Sequence, residues 1–384
     1  MTAYMSQRQA LFPSSQRRGG CAERSEGADG VVSSATYSGR TDHPGAPASI
    51  KLSRHPSSAR RGIIRPAFYS VLLLIFAAGF GSTQQNSEIH VLHVQGNVYM
   101  LVGAGGNIAV QAGKDGVLLV DTGGAQMTDQ VLATVKQLAK PITNRPIRYI
   151  INTHFHPDHT GGNEKLRAAG ATITGGNVAG NISDATEGAA LFAHENVMKR
   201  MSAPTGSAAP RPSGAWPTDT YFGDKKEIFF NGEAIQLFHP NSAHTDGDSI
   251  VFFRRSDVIS SGDIFMTTSY PVIDLQGGGS INGVIDALNF ILDLTIPAEK
   301  QEGGTMVIPG HGRLCDEADV VEYRDMVTII RDRIQDMIKK GMTLEQVKAA
   351  KPTRDYDPIY GSTTGFWTTD MFVEAVYKSL STKK

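Results

Sequence analysis

The chain has 384 residues, of which 40% are hydrophobic and 20% are charged, a balance that supplies a sizeable core and excludes disorder of the whole chain. Its formal net charge is −1, but residues 1–66 carry a net charge of +6 and the remainder carries −7. An acidic main body argues against a nucleic-acid partner. The two cysteines, Cys21 and Cys315, provide no disulfide framework.

The N-terminal region reads as a segment separate from the main body. Residues 1–60 are rich in Ser, Arg, Gly and Pro, so we predict a disordered tail or a stretch upstream of the true start. Three arginines then precede an apolar run from Ala67 to about Phe80, an order typical of a signal peptide at 61–82. The run is shorter than the roughly 20 apolar residues that span a bilayer. We therefore expect export to the periplasm or the medium, with membrane contact only if the signal stays uncleaved.

Strand-like runs begin at about residue 88. Branched residues separated by Gly, Asn and Asp turns predict four strands, in EIHVLHV, NVYMLVG, NIAVQAG and GVLLVDTGG. A helix in AQMTDQVLATVKQLA, a strand in IRYIIN and helices in GGNEKLRAAG and HENVMKRM follow. The Pro/Gly/Ser-rich loop at 202–220 is expected to cover a site as a lid.

A second strand group follows this loop. KEIFFNGEAIQLFHP turns on Asn231-Gly232, and SIVFFRR and DVISSGDIF continue the group. Helices are predicted at 282–294 and 318–340, and in MTLEQVKAAKP and TTDMFVEAVYKSL. Two strand-rich halves, each followed by helices, predict an α+β four-layer αββα sandwich at 88–315, with a helical extension at 316–384 packed on it.

The stretch INTHFHPDHTGGN, residues 151–163, places four potential metal ligands directly after an apolar run. The spacing of His154 and His156 at a strand end lets both side chains point the same way. Asp158 and His159 in the following turn can point at a neighbouring location, which predicts a two-site arrangement. Imidazole and carboxylate groups suit zinc, iron or manganese.

Further candidate ligands lie far along the chain at strand ends. His244 in NSAHTDGDSIVFF precedes a predicted strand, whereas Asp263 in SSGDIF and His311 in VIPGHG follow strands. Loops of this kind carry functional residues on a rigid scaffold. These three side chains are therefore candidates to complete two coordination spheres.

The successive motifs resemble those of the metallo-β-lactamase superfamily over about residues 88–315. The resemblance implies the metallo-β-lactamase fold and two divalent metal ions. One ion would be held by His154, His156 and His244, and the other by Asp158, His159 and His311. Asp263 would bridge the two ions. Asp121, in GVLLVDTGG, would steady the ligand loop without being a ligand, or would be an ordinary strand-ending aspartate.

The resemblance also implies a dinuclear metal-dependent hydrolase, in which a metal-bridging hydroxide attacks a small carbonyl substrate such as a lactone or a β-lactam. Zinc is the first expectation for the ions, with iron and manganese as alternatives. Asp158 would orient the hydroxide or take its proton. Asp263 stands where many zinc β-lactamases have cysteine, which is similar to the glyoxalase II and lactonase branches. Tyr270 would donate a hydrogen bond to substrate or pack in the core.

Two other functions remain open at this stage. Iron in the same ligand set would support an iron-dependent oxidoreductase or a sulfur dioxygenase-like enzyme. A non-enzymatic metal-binding accessory protein of the cell envelope is the second alternative, although it explains the complete ligand set poorly.

Outside the motifs, we expect His194 to lie on a helix and His239 to be structural. Trp216 and Tyr221 would form an apolar wall or anchor the neighbouring loop.

Overall fold

The computed structural model describes residues 88–171, 188–203 and 211–381. The predicted tail at 1–60, the predicted signal peptide at 61–82 and part of the 202–220 loop lie outside the described residues. Within the described ranges, no helix combines the length and the apolar character needed to cross a membrane.

Two β-sheets form the centre of the described fold. The first sheet contains seven strands in chain order: β1 (His90–Gln95), β2 (Val98–Val102), β3 (Ile108–Gly113), β4 (Gly116–Val120), β5 (Ile147–Ile151), β6 (Ala190–His194) and β7 (Asp219–Tyr221). Strands β1 to β4 form an antiparallel meander, whereas β4 to β7 pair in parallel. The parallel half therefore presents several carboxyl ends at one edge of the sheet.

The second sheet contains five strands in the order β12, β11, β10, β9, β8 among the described residues. Their bounds are β8 (Lys225–Phe230), β9 (Glu233–Phe238), β10 (Ile250–Phe253), β11 (Val258–Ser260) and β12 (Met306–Ile308). The hairpin between β8 and β9 turns at Asn231 and Gly232, whose φ angles are +51° and +82°. Asn-Gly tolerates two positive φ angles in succession, which explains why this hairpin was predictable from the sequence.

Nine α-helices accompany the sheets within the described ranges. They are α1 (Thr128–Ala139), α2 (Pro157–Thr160), α3 (Asn163–Ala168), α4 (Glu195–Ser202), α5 (Ile281–Leu294), α6 (Glu317–Lys339), α7 (Leu344–Ala350), α8 (Asp357–Tyr360) and α9 (Thr369–Ser381). Side chains cap several of them: Ser280 begins α5, and reciprocal capping boxes begin α6 at Asp316 and α7 at Thr343.

Three apolar layers show how the elements stack. Leu119 of β4 faces an outer layer with Val131 of α1, whereas Leu118, its neighbour in the strand, faces Leu237 and Phe253 of the second sheet. This alternation follows from the two-residue period of a strand. A third layer packs Ile250, Phe252 and Ile259 of the second sheet against Leu288, Ile330 and Phe372 from α5, α6 and α9. The predicted αββα sandwich is therefore confirmed.

Some short elements were not predicted. The sequence analysis assigned no strand to β6 or β7 and no helix to α2 or α8, because runs of three to five residues show too little periodicity. The helix predicted from His194 begins instead at Glu195. His194 ends β6 and caps the helix through its ring, which accepts a hydrogen bond from the Asn196 amide.

Candidate metal centre

All seven predicted ligands lie at strand ends along one edge of the sandwich. His154 and His156 follow β5, and Asp158 and His159 lie in the short helix α2 that comes next. From the second sheet, His244 precedes β10, Asp263 lies in a 3₁₀ turn after β11 and His311 follows β12. The centre is therefore built jointly by both sheets.

The seven side chains form two groups that share one member. The first group contains His154, His156, His244 and Asp263, and the second contains Asp158, His159, His311 and Asp263. Within each group, all the potential ligand atoms lie within 4.8 Å of one another. Asp263 thus occupies the position that the sequence analysis assigned to a bridging carboxylate.

Hydrogen bonds on the outer side fix the orientation of four imidazole rings. Each ring nitrogen that faces away from the centre has an oxygen acceptor: Thr153 Oγ1 at 3.0 Å for His154 Nδ1, Asp274 Oδ2 at 3.1 Å for His156 Nε2, Asp121 Oδ2 at 2.8 Å for His159 Nδ1, and the Val272 carbonyl at 2.7 Å for His244 Nδ1. A neutral imidazole carries one N–H, which donates to that outer oxygen. The other nitrogen therefore points a lone pair inward, as metal-ligating histidines do.

The inward nitrogens are closer together than neutral rings favour without a cation. His156 Nδ1 lies 2.9 Å from His244 Nε2, and His159 Nε2 lies 3.3 Å from His311 Nε2. In addition, His154 Nε2 is buried without a hydrogen-bond partner among the described residues, and buried Asp263 Oδ1 has the His159 ring nitrogen at 3.1 Å but no well-aligned hydrogen bond. Buried polar atoms of this kind are costly unless an ion or water satisfies them. The donor set therefore fits two divalent cations.

Electrostatics within the cluster point to the same conclusion. Burial would lower the pKa of His159, but Asp263 and Asp121 outweigh burial and hold that pKa well above its usual value. Burial and the neighbouring His159 hold the pKa of His154 well below its usual value. Without metal, a proton on His159 compensates the buried carboxylates, so the position favours positive charge.

Asp121 supports the ligand loop without belonging to either ligand group. Its carboxylate accepts hydrogen bonds from the Thr153 amide at 2.8 Å, the Thr153 hydroxyl at 2.7 Å and His159 Nδ1 at 2.8 Å. Because the Thr153 hydroxyl in turn accepts from His154, one buried carboxylate orients a ligand in each group. Asp121 adopts a φ of +66°, which aspartate tolerates better than most residues.

Two glycines let the backbone approach the ligands closely. A Cβ at Gly106 would collide with the ring of His159, and a Cβ at Gly310 would collide with the carboxylate of Asp263. Any larger residue would displace a ligand from the centre. Neither glycine was singled out by the sequence analysis.

Asp274 is the functional side chain that the sequence analysis missed. It accepts from His156 and also from the Gly277 amide at 2.7 Å, so a turn holds the carboxylate in place. Burial is the largest influence and would raise the pKa of Asp274, but the hydrogen bonds from His156 and the Gly277 amide, with the nearby imidazoles, together outweigh burial and lower the pKa. The available signal was its position in PVIDLQGGG, between an apolar pair and a glycine-rich turn.

Tyr270 packs in the core, the second of the two roles left open for it by the sequence. Its side chain is 1% exposed and stacks on Phe372 of α9 at 4.7 Å between ring centroids. The single hydroxyl proton is shared between two acceptors, Asp357 Oδ1 at 2.9 Å and the Thr353 carbonyl at 3.1 Å. Tyr270 therefore ties the C-terminal helices to the core.

Other side chains near the site are structural. Trp216 donates from Nε1 to the Arg211 carbonyl, and Tyr221 bonds Ser249 Oγ at 2.7 Å, so both anchor their loops. His194 stacks on His239 at 3.6 Å between ring centroids, and His239 Nδ1 lies 2.8 Å from the Asp248 carbonyl. None of these four belongs to either ligand group.

A cavity of about 500 Å³ opens over the second ligand group. Its polar lining includes His156, Asp158, Asp263 and His311. Its apolar lining includes Met266, Val272, Phe366 and Trp367. No lysine or arginine lines this cavity among the residues the structure describes. A small molecule in the cavity would thus contact both the ligands and an apolar surface.

The layered fold and the paired ligand groups define a class of proteins with a dinuclear metal site at the edge of an αββα sandwich. The chain belongs to the metallo-beta-lactamase superfamily, whose family model matches residues 94–311, more than half of the sequence. The family predicted from the sequence motifs is therefore confirmed.

The chain is similar in sequence to two curated proteins. The chain is 25% identical over 276 residues to a linear primary-alkylsulfatase of Pseudomonas, covering 64% of this chain and 50% of that protein. It is 24% identical over 208 residues to beta-lactamase-like protein 2 homolog of Caenorhabditis elegans, covering 54% of this chain and 55% of that protein. The chain thus spans about half the length of these curated relatives.

A solved structure supports the fold assignment. The inverting sec-alkylsulfatase Pisa1 of Pseudomonas matches with a TM-score of 0.53 and 15% identity, over 76% of this chain and 50% of that one. These relatives do not single out the glyoxalase II or lactonase branch that the motif around Asp263 favoured.

Proposed function

We propose that this protein is a dinuclear metal-dependent hydrolase that acts on a small neutral carbonyl substrate, a lactone or a β-lactam. The observation that carries the proposal is the set of inward-facing ligand atoms, four of whose residues line the cavity. Bare nitrogens of His156 and His244 approach to 2.9 Å, and Asp263 belongs to both ligand groups. Such a centre beside a largely apolar cavity suits hydrolysis of an uncharged molecule.

The ligand groups would hold two divalent ions, with zinc first and iron or manganese as alternatives. Bound ions of this kind supply a water-derived nucleophile near neutral pH and polarise a carbonyl oxygen. Asp158 lies at the cavity with its carboxylate 3.1 Å from His311 Nε2. Burial is the largest influence and would raise its pKa, but the hydrogen bond with His311 and the nearby rings of His159 and His311 together outweigh burial, so the pKa is lowered. As a partly exposed carboxylate, Asp158 can orient the attacking water and accept its proton.

Hydrolysis of alkyl sulfate esters is a second candidate. The alkylsulfatase relatives favour it, because both the sequence match and the structural match carry that name. The cavity argues against it, because a sulfate ester carries a negative charge and no lysine or arginine lines the described wall. We therefore rank alkyl sulfates below neutral carbonyl substrates.

A substrate panel on metal-replete protein tests the proposal. The panel should contain lactones, β-lactams, thioesters, alkyl sulfates and phosphodiesters, each assayed with and without a chelator. We expect hydrolysis of a lactone or β-lactam that chelation abolishes and zinc or manganese restores. Turnover confined to alkyl sulfates or phosphodiesters would reassign the substrate. Oxygen consumption with iron and no hydrolysis would favour the oxidoreductase, and metal binding without any turnover would favour the accessory protein.

We also propose that the protein is exported, on the strength of the arginine-rich, apolar and small-residue order at 61–82. The mature chain is then expected to begin between about residues 78 and 85, outside the cytoplasm. N-terminal sequencing of protein from the native host measures this directly. A cytosolic chain that begins at Met1 would contradict export.

A further inference from the structure

The C-terminal segment contributes a wall to the cavity that contains the metal ligands. Phe366 and Trp367 lie between α8 and α9, more than fifty residues after the last predicted ligand, His311, yet both line the same cavity as that histidine. The sequence predicted only a helical extension packed on the main domain in this part of the chain. A place at the cavity is a further role for this segment.

Hydrogen bonds hold the loop that carries these aromatic residues. The Thr369 amide donates to the Ser362 carbonyl at 2.8 Å, and the Ser362 amide donates to Thr369 Oγ1 at 3.1 Å, which closes the loop at its base. Trp367 donates from Nε1 to the Pro271 carbonyl at 3.1 Å. Trp367 is thus fixed against the core, and Phe366 is presented beside it.

Phe366 contributes little to folding at this position. Its side chain is 83% exposed, so burial of the ring does not account for a large aromatic residue here. Met266 and Val272 continue the apolar surface towards the ligands, since Met266 forms a β-bridge with His311 and Val272 accepts from His244. The apolar surface therefore runs from the loop to the ligand groups.

We propose that Phe366 and Trp367 bind an apolar substituent of the substrate and so select substrates by the size of that substituent. The inference rests on the proposed function and narrows its substrate class to neutral lactones that carry an extended alkyl chain. A cavity of about 500 Å³ fits a drug-sized molecule better than a bare four- or five-membered ring. The reacting carbonyl would face the ligands, and the alkyl chain would lie against Phe366.

A matched pair of lactones tests the inference. γ-Butyrolactone and γ-decalactone share one ring, and the second adds a hexyl chain. Each fully buried methylene contributes up to about fourfold in affinity, so a chain that contacts the wall over part of its length gives at least about tenfold. We therefore expect kcat/KM of the metal-loaded protein to favour γ-decalactone by about tenfold or more.

Two alanine variants locate the source of this preference. Phe366→Ala should remove most of the preference by lowering kcat/KM for γ-decalactone much more than kcat/KM for γ-butyrolactone. The control is Phe229→Ala, because Phe229 is a similarly exposed phenylalanine, at 74%, that does not line the cavity. The control should keep the full preference. A Phe366→Ala protein that keeps it, or a parent protein that shows none, would overturn the inference.

A binding measurement separates this inference from the proposed hydrolysis. Pyrrolidinone and its hexyl derivative copy the two lactones but resist hydrolysis, and calorimetry gives their dissociation constants for the metal-loaded protein. Tighter binding of the hexyl compound that depends on Phe366, without turnover of any lactone or β-lactam, supports the aromatic wall and rejects the hydrolase proposal. Lactone turnover with no chain-length effect in either assay supports the hydrolase and rejects the wall.

Discussion

Asp274 accepts a hydrogen bond from Nε2 of His156 at 3.1 Å, across 118 positions of sequence. The carboxylate places the ring proton on the outer side, so that Nδ1 faces His244 and the rest of the first ligand group. Asp274 is itself held by the Gly277 amide. The orientation of one ligand therefore depends on a turn that contributes no ligand.

Replacement of Asp274 should weaken metal binding without unfolding the protein. Asp274→Ala is expected to lower the affinity of the first ligand group by about 10-fold or more, because loss of such outer partners typically costs 10- to 100-fold. Asp274→Asn keeps an acceptor oxygen, so its metal affinity should lie between those of the parent protein and Asp274→Ala. Competition with a chromogenic chelator measures the affinities. Asp293→Ala, an exposed change on α5, is the control, and equal affinities in all these proteins would exclude the role.

Single ligand replacements should remove the two ions separately. His156→Ala and His311→Ala change partly exposed side chains in different groups, so each variant should stay folded and retain about one ion. Asp263→Ala should weaken the binding of both ions, because Asp263 belongs to both ligand groups. Elemental analysis after gel filtration gives the metal content. Two tightly bound ions in the Asp263 variant would exclude bridging.

Tyr270→Phe should affect stability and leave catalysis unchanged. The variant loses the hydrogen bonds to Asp357 and Thr353 but keeps the ring stacked on Phe372. We expect the free energy of unfolding to fall by about 1–2 kcal/mol. Urea denaturation measures that loss, and lactone kinetics provide the comparison. A lower kcat/KM with unchanged stability would return Tyr270 to the substrate site.

The contribution of His194 to the stability of the metal-free protein should be lost as the pH falls from about 6.5 to about 4. Burial, followed by the neighbouring His239, lowers the pKa of His194 to about 4. The unfolded chain then takes up a proton near its ordinary pKa, while the folded chain stays neutral until the pH reaches about 4. His194 therefore favours the folded state fully above this window and progressively less within it. The contribution of His194 to the free energy of unfolding is about 1–3 kcal/mol.

The variant His194→Asn isolates that share. Asparagine keeps a side chain that can cap α4, and His194 is not a predicted ligand, so chelator-treated protein can be compared directly. We expect the free energy of unfolding to fall less between pH 7 and pH 4.5 than in the parent protein. His90→Asn, an exposed change on β1, should keep the parental slope. Identical slopes in all three proteins would show that His194 does not titrate as described.

Sequence reasoning recovered the parts of this protein that depend on neighbouring residues. His154, His156, Asp158 and His159 lie within six positions of one another. The Asn231-Gly232 pair is sufficient to predict a hairpin turn. Asp274 could not be assigned in the same way. Its contact with His156 depends on how a turn far along the chain packs against the ligand loop. A single aspartate before glycines is common in turns that bind nothing.

The same limit explains what the sequence did not reveal about the C-terminal part. The apolar spacing of α9 correctly indicated a helix, but spacing alone does not say that Phe372 stacks on Tyr270. Nor does it say that the loop before α9 reaches the cavity at Phe366. Those relations depend on tertiary packing between segments far apart in the chain, which a local pattern does not encode.

The ligands come from both sheets, which has a consequence for the lifetime of the protein. An ion that binds only when the two halves are assembled stabilises the native state by mass action, in proportion to the logarithm of the free metal concentration. Metal starvation would then increase the unfolded fraction available to proteases, even if every side chain were intact. The abundance of the protein would follow the supply of metal in its surroundings.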